Sequence, residues 1–332
     1  MKSFSFFIGL LFFFSTNLVN AQYYSLQIVI KNQPDNPVVL GTVSGEKFTP
    51  VDTLFPKKAG NDQLTKLVRY QFPKDAVNGM YRIIFGQTTY ALVMDEPPQQ
   101  LDFFYNNETV VFETDFKNPQ TSLKISQSEE NKVWFDFLKR EKILREQIEL
   151  IEEEIDYYHS EVSKIKSSSL PSGEMESVLS GKANEFNKLQ MEREGFVEKT
   201  VQDNQKMLVS TFINLYREPF RDAFLNPKER LEHYQREYFI YVDFNDERLI
   251  RSSVLTDKIF NYLVSWNQPG YTRTQREIAY IKAVNGIMSK VKPEGGAANP
   301  KVVDFILDYL KTGFNRLGMD NIVKYINERY SG

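Results

Sequence analysis

The sequence predicts an α+β multidomain fold, an N-terminal antiparallel β-sandwich followed by an all-α domain with a long antiparallel coiled-coil hairpin. Three patterns carry this reading. Apolar and polar residues alternate with a period of two over the first third of the chain, as in Leu26/Ile28/Ile30, Tyr90/Leu92/Met94 and Leu101/Phe103/Tyr105. From Leu144 the apolar residues fall instead at Ile148, Ile151, Ile155, Tyr158, Val162 and Ile165, steps of four and three that keep one helical stripe in register. Beyond Met207, Asn226-Pro227 and Asn299-Pro300 each set a capping side chain before a proline at the first helical position.

With 332 residues, 41% of them hydrophobic, the chain can bury a sizeable core and divide into two or three domains. Its net charge of −3 gives no reason to expect nucleic acid or an anionic membrane as partner. Residues 1–21 read as a secretory signal. Lys2 supplies the positive start, Phe4 to Phe14 an apolar stretch too short to span a bilayer, and Val19-Asn20-Ala21 the small residues that a signal peptidase reads. Cleavage between Ala21 and Gln22 predicts a periplasmic protein, with secretion as the alternative and no membrane attachment afterwards. A retained anchor is disfavoured, because no cysteine sits at the cleavage point to carry lipid. Cysteine is absent altogether, so this chain performs no thiol–disulfide chemistry and holds no thiolate metal site.

Residues 22–125 are expected to form seven or eight short strands, broken at Pro34-Asp35-Asn36, Gly86-Gln87 and Asn106-Asn107. Their aromatic residues could line a sugar-binding face, but alternating aromatics read first as core. Residues 126–204 are expected to form the hairpin, opening at Ser128-Glu129-Glu130-Asn131 ahead of Trp134 and Phe137. Traced back to Trp134, with Glu141 its one polar interruption, the first helix runs for roughly 50 Å. Ser167 to Gly173 breaks it, and a second arm follows with Leu179, Phe186, Leu189 and Phe196. Lys182 and Arg193 interrupt that second stripe, which leaves the first arm incompletely covered. Ile148, Ile151 and Ile155 are expected to be buried either against the second arm or, as the candidate interface, against a second copy in a homodimer or another protein partner. Residues 205–332 read as six or so shorter helices, with Pro293 to Asn299 as a flexible connection.

No catalytic, metal or cofactor constellation emerges. Asp243-Phe-Asn245-Asp246-Glu247 gathers oxygen ligands, but a calcium loop starting at Asp243 needs Gly sixth and Glu twelfth, where Arg248 and Val254 stand. The stretch reads instead as a structural joint. Asp243 or Asn245 caps a following helix, Glu247 and Arg251 form an i,i+4 pair, and Arg248 and Arg251 anchor the preceding helix through carboxylates such as Asp243. Asp246 belongs to the same joint. The sequence contains no phosphate-cradling glycine loop and no GxSxG elbow. Its two histidines, His159 and His233, read as surface or packing residues, and Glu152-Glu153-Glu154 as a solvated helix face.

The leader, the turn and strand Asn78-Gly-Met-Tyr81-Arg-Ile-Ile-Phe85, the helix start Ser128-Glu-Glu-Asn131 and the run Tyr241 to Arg251 together resemble the front part of exported thioredoxin-like proteins. These proteins, often labelled thiol–disulfide interchange proteins, occur in some Gram-negative bacteria and place two domains of unknown function before a thioredoxin-fold domain. The resemblance spans nearly the whole chain after the leader, and its best element is Asp-Phe-x-Asp-x-Arg-Leu-x-Arg at 243–251. It departs where the redox domain and its CxxC would begin, after Tyr330, so no catalytic residue carries over. What the resemblance implies is a non-catalytic periplasmic accessory, scaffold or dimerisation region serving a downstream or neighbouring thioredoxin-fold domain. A freestanding binding module for a glycan or peptide is the alternative, and a hydrolase built on dispersed carboxylates the third reading.

Overall fold

The computed structural model describes residues 23–60, 64–167, 173–296 and 298–330. The predicted cleavage site at Ala21 and Gln22 and the hairpin loop at 168–172 lie outside these residues. The N-terminal part contains strands β1 (Ser25–Lys31), β2 (Val38–Ser44), β3 (Lys47–Leu54), β4 (Lys57–Lys58), β5 (Lys66–Gln71) and β6 (Gly79–Ile84). A short helix α1 (Thr89–Val93) and strands β7 (Gln100–Tyr105), β8 (Val110–Asp115) and β9 (Lys124–Gln127) complete it. They form two sheets, ordered β4-β5-β1-β8-β9 and β3-β2-β6-β7. Leu26, Ile28 and Ile30 from β1 meet Ile83, Leu101 and Phe103 between the sheets, and all six are fully buried. Phe72 stacks on Tyr105 at 3.7 Å in the same core.

Two expectations are corrected here. The first sheet is mixed: β1 pairs antiparallel with β5 but parallel with β8, Leu26 lying opposite Val110 and Lys31 opposite Asp115. A period-two pattern decides which face of a strand is buried, and is silent on the direction of its neighbour. The alternating Tyr90/Leu92/Met94 segment is the helix α1, not a strand. Thr88 caps it by accepting the Ala91 N–H at 3.1 Å, and its large side chains are exposed. Pro97 and Pro98, which lack N–H donors, follow it before β7 begins.

The second sheet is buried on both faces along parts of β2, β6 and β7, while its edge strand β3 is largely exposed. Phe104 points away from the sandwich core, stacks on Phe212 at 4.8 Å and meets the edge of Trp134 at 5.0 Å, joining Val43 and Met80 in a core shared with the helices. Those helices are α2 (Glu129–Ser167), α3 (Gly173–Asp203), α4 (Leu208–Ile213), α5 (Pro227–Glu237), α6 (Val254–Ser265), α7 (Arg273–Val291), α8 (Pro300–Arg316) and α9 (Asp320–Tyr330). Asn226 and Asn299 cap α5 and α8, accepting backbone N–H groups at 3.0 and 3.1 Å. Trp134 and Phe137 of α2 share one core with Ile259 and Ile306, so packing continues across residue 204.

The 39 residues of α2 extend for about 58 Å, and α3 lies against it in the opposite direction. Ion pairs set the register: Arg140–Glu192 at 2.6 Å, Lys182–Glu154 at 2.7 Å and Lys166–Glu176 at 2.9 Å, one number rising as the other falls. Ile148, Ile151 and Ile155, the candidate interface, retain 3, 9 and 0% exposure. They pack on Ala183 and Phe186 of α3 and on Ala223. They are thus interior to the chain rather than a free surface, because a segment after α4 closes the side that α3 leaves open.

Candidate functional site

Two joints fasten the sandwich to the helices. At the first, β7 is an edge strand, and an edge leaves backbone donors and acceptors that need partners once buried. Asn131 supplies them. Its amide accepts the Phe104 N–H at 2.8 Å and donates to the Phe104 carbonyl at 2.7 Å, imitating a neighbouring strand. Glu130 accepts the N–H groups of Leu208 and Val209 at 2.9 and 2.8 Å and so caps α4, while Asn106 donates to it at 2.6 Å. Ser128, buried with φ at 145°, donates to Glu108 and accepts from the Asn131 backbone at 3.1 Å. Every residue of the Ser128–Asn131 helix start is therefore bonded to another residue of this junction or of the chain beside it, apart from local turns. Asn131→Ala leaves two buried backbone groups of Phe104 without partners and is expected to cost about 2–4 kcal/mol, read by chemical denaturation.

The second joint is the stretch around Asp243. Asp246, rather than Asp243 or Asn245, caps a 3₁₀ turn at Glu247–Arg251, accepting the Arg248 N–H at 2.9 Å while the Arg248 guanidinium grips the same carboxylate at 2.6 Å. The next helix, α6, starts only at Val254. Arg251 bonds Glu247 at 3.2 Å, and the Asp243 carboxylate accepts the Asn245 N–H at 3.0 Å while its carbonyl accepts that of Asp246 at 3.1 Å. The link to the sandwich is made on the carbonyls of this turn: the Ser44 hydroxyl donates to that of Ile250 at 2.7 Å and the Gly45 N–H to that of Ser252 at 2.9 Å. Gly79, at φ 158°, sits so close that a Cβ there would lie 2.9 Å from the Arg251 carbonyl oxygen. Asp246, Arg248 and Arg251 stand at this contact with the sandwich, whereas the Asp243 side chain bonds within its own turn. The acceptors in these contacts with the sandwich are main-chain carbonyls, which have no side-chain signature.

A third arrangement was not foreseen. Residues 216–223, leaving a 3₁₀ turn at Asn214–Tyr216, run along one side of the hairpin from Arg193 to His159 as an irregular strap, and buried backbone without regular structure must find its partners among side chains. Arg193 donates to the Tyr216 carbonyl at 2.7 Å and Lys258 to that of Arg217 at 2.8 Å. Gln190 holds both polar groups of Arg221 at 2.9 Å, and His159 donates to the Ala223 carbonyl at 3.1 Å. Beneath the strap, Arg193 pairs with Glu141 at 2.7 Å and reaches Glu218 at 3.4 Å, while Arg145 bridges the same two carboxylates at 2.9 and 3.3 Å. Arg221 extends the network to Glu152 at 2.5 Å, and Arg230 pairs with Asp156.

Burial opposes the charge on Glu218, but Arg193 and Arg145 outweigh it and hold the carboxyl down at about 2. Burial pushes the Lys258 amine down to about 8 against the pull of Glu218, and the amine also sits 4.4 Å over the Tyr238 ring. Two cavities of about 280 Å³ flank Glu218, one lined by Gln190, Arg193 and Tyr241, the other by Arg145, Tyr234 and Lys258. A larger groove of about 830 Å³ follows the sandwich–helix junction over Met80, Trp134, Phe135 and Leu138, with Asp102, Lys139 and Asp257 among its polar walls.

Among the described residues no group of three His, Asp or Glu side chains is placed to hold a metal ion, and no helix is long and apolar enough to cross a membrane. No protein-family model matches the chain, and no curated protein matches it. The Glu141–Arg193 pair could have been found in the sequence, since both residues interrupt apolar stripes and carry opposite charges. The strap could not, because its partners come from α2, α3 and α6.

Proposed function

We propose that the chain is a non-catalytic periplasmic accessory region of a thioredoxin-like thiol–disulfide oxidoreductase system, and that its antiparallel coiled-coil hairpin holds partners at a fixed distance. The observation that carries this reading is the strap. Eight residues of backbone are pinned along the hairpin by side chains of three helices, above a cluster of Glu141, Arg193 and Glu218 that the partly exposed Arg145 closes. Ionic groups at a well-packed junction constrain geometry more than they add stability, which suits an arm that must keep its direction. The thiol-free sequence has no nucleophile for disulfide exchange, so redox work in such a system falls to another domain. The experiment is a pull-down from a periplasmic extract with the purified chain as bait. Specific recovery of a thioredoxin-fold protein supports the reading, and its absence, with no such domain encoded in or beside the same gene, refutes it. The bait itself is expected to be inert in insulin reduction.

The groove of about 830 Å³ favours a second reading, a binding module for a peptide or glycan. Saturable binding of a peptide or glycan, weakened by Phe135→Ala and accompanied by no thioredoxin-fold partner, would select it.

A further inference from the structure

The outer side of α2 carries a second apolar stripe. Ile143, Leu150 and Tyr157 are 44, 65 and 56% exposed and follow one another at intervals of two helical turns, away from the buried side of Ile148 and Ile155. Single exposed apolar residues are ordinary, whereas large ones repeating every seven residues along a long helix have the spacing of a helix–helix seam. We propose that this stripe is a two-fold interface with a second copy of this chain, the two α2 helices lying antiparallel with Leu150 on the axis. The proposal rests on the hairpin serving as a positioning arm.

Charge selects the direction. The face carries Asp136, Lys139 and Lys142 toward its N-terminal end and Glu153, the half-buried Glu161 and Lys164 toward its C-terminal end. Parallel helices would set Lys139 on Lys139 and Glu153 on Glu153. In the antiparallel arrangement about Leu150, Ile143 meets Tyr157 of the second copy, Lys139 meets Glu161 and Asp136 meets Lys164. The Glu161–Lys164 pair, 2.6 Å apart within each helix, then becomes part of a four-charge cluster, repeated by the two-fold axis. One like-charge encounter arises, Glu146 with Glu154, and each has a cation of its own chain at hand, Lys142 at 3.7 Å and Lys182 at 2.7 Å. A surface that complements itself only when reversed is what a closed two-fold dimer requires.

The absence of cysteine makes the test clean, because any introduced thiol is the only one present. Purified full-length Leu150→Cys is expected to give a disulfide-linked dimer on mild oxidation. Ile143→Cys and Tyr157→Cys are each expected to give little alone and a linked heterodimer when mixed. Light scattering is expected to find a concentration-dependent dimer, with Leu150→Glu weakening it at least about 30-fold while the melting temperature stays unchanged. Should Leu150→Glu fail to fold, the crosslinking pattern decides alone. Self-linking of Ile143→Cys as fast as that of Leu150→Cys, or a wild-type chain that remains monomeric at roughly 200 µM, overturns the proposal. A monomer that still captures a thioredoxin-fold protein removes this interface and leaves the accessory reading standing, and a dimer that captures none does the reverse.

Discussion

Arg193→Met is expected to destabilise the protein by about 3–5 kcal/mol, because it leaves Glu141 and Glu218 buried with one cation fewer between them. The Tyr216 carbonyl loses its donor in the same step, freeing one end of the strap. Pairing the change with Glu141→Leu is expected to recover part of the loss, since an uncompensated buried charge costs more than an apolar pair of similar volume. Denaturant titration of the two single variants and the double variant measures the coupling. A cycle in which the two losses simply add would mean that the residues do not act together. Acid offers an independent check. Glu218 is held well below its unfolded value, so its contribution to stability is complete above about pH 4.5 and is lost as pH falls toward 2. With Arg193→Met that acid dependence is expected to shrink. Lys258 acts in the other direction at high pH. With its folded value lowered to about 8, the unfolded chain binds more protons between there and 10.5, so this group adds stability as pH rises through that window.

Ile155→Asp is expected to cost at least about 4 kcal/mol. Ile155 is fully buried between α2, α3 and the strap residue Ala223, and a carboxylate there replaces apolar contacts, while Arg221 and Arg230, the cations over the neighbouring Phe186 ring, are already paired with Glu152 and Asp156. Ile155→Val is expected to cost only about 1 kcal/mol, which separates loss of packing from burial of charge. Both are read by chemical denaturation. If Ile155→Asp melted like the wild type, the hairpin arms would not bury one another as described.

The residues that alternate or repeat in one element were legible in the sequence, and those whose meaning depends on a distant element were not. Leu26, Ile28 and Ile30 announced a strand with one buried face, and the steps from Leu144 to Val162 announced the inner stripe of α2. Leu150 and Tyr157 form a second stripe on the same helix, but only coordinates separate a solvent face from a covered one. The interruptions at Lys182 and Arg193 are met within the chain. Arg193 is matched by Glu141 and Lys182 by Glu154 across the hairpin, and the remaining gap is closed by the chain's own strap, not by a second molecule. At 243–251 the composition pointed to a joint, yet the sandwich meets it through the Ser44 hydroxyl, the Gly45 N–H and the close approach of Gly79, contacts with a distant element that no local pattern encodes. Asn131 is the instructive intermediate. Its place in a helix start was readable, while its use as a substitute strand for Phe104 depends on β7 being an edge.

The claim that the strap and the two joints make the hairpin a rigid arm is tested most directly by a distance between spin labels on the arm and on the sandwich. Glu185→Cys on α3 and Lys124→Cys on β9 place labels at exposed positions clear of the strap and of the outer stripe of α2, and the chain contributes no other thiol. Pulsed dipolar spectroscopy on the doubly labelled chain, diluted with unlabelled protein so that only distances within one molecule are read, is expected to give one narrow distribution in the wild type that broadens with Arg193→Met. A broad or bimodal distribution in the wild type would contradict the account, because an arm that swings freely cannot hold its partners at a fixed distance.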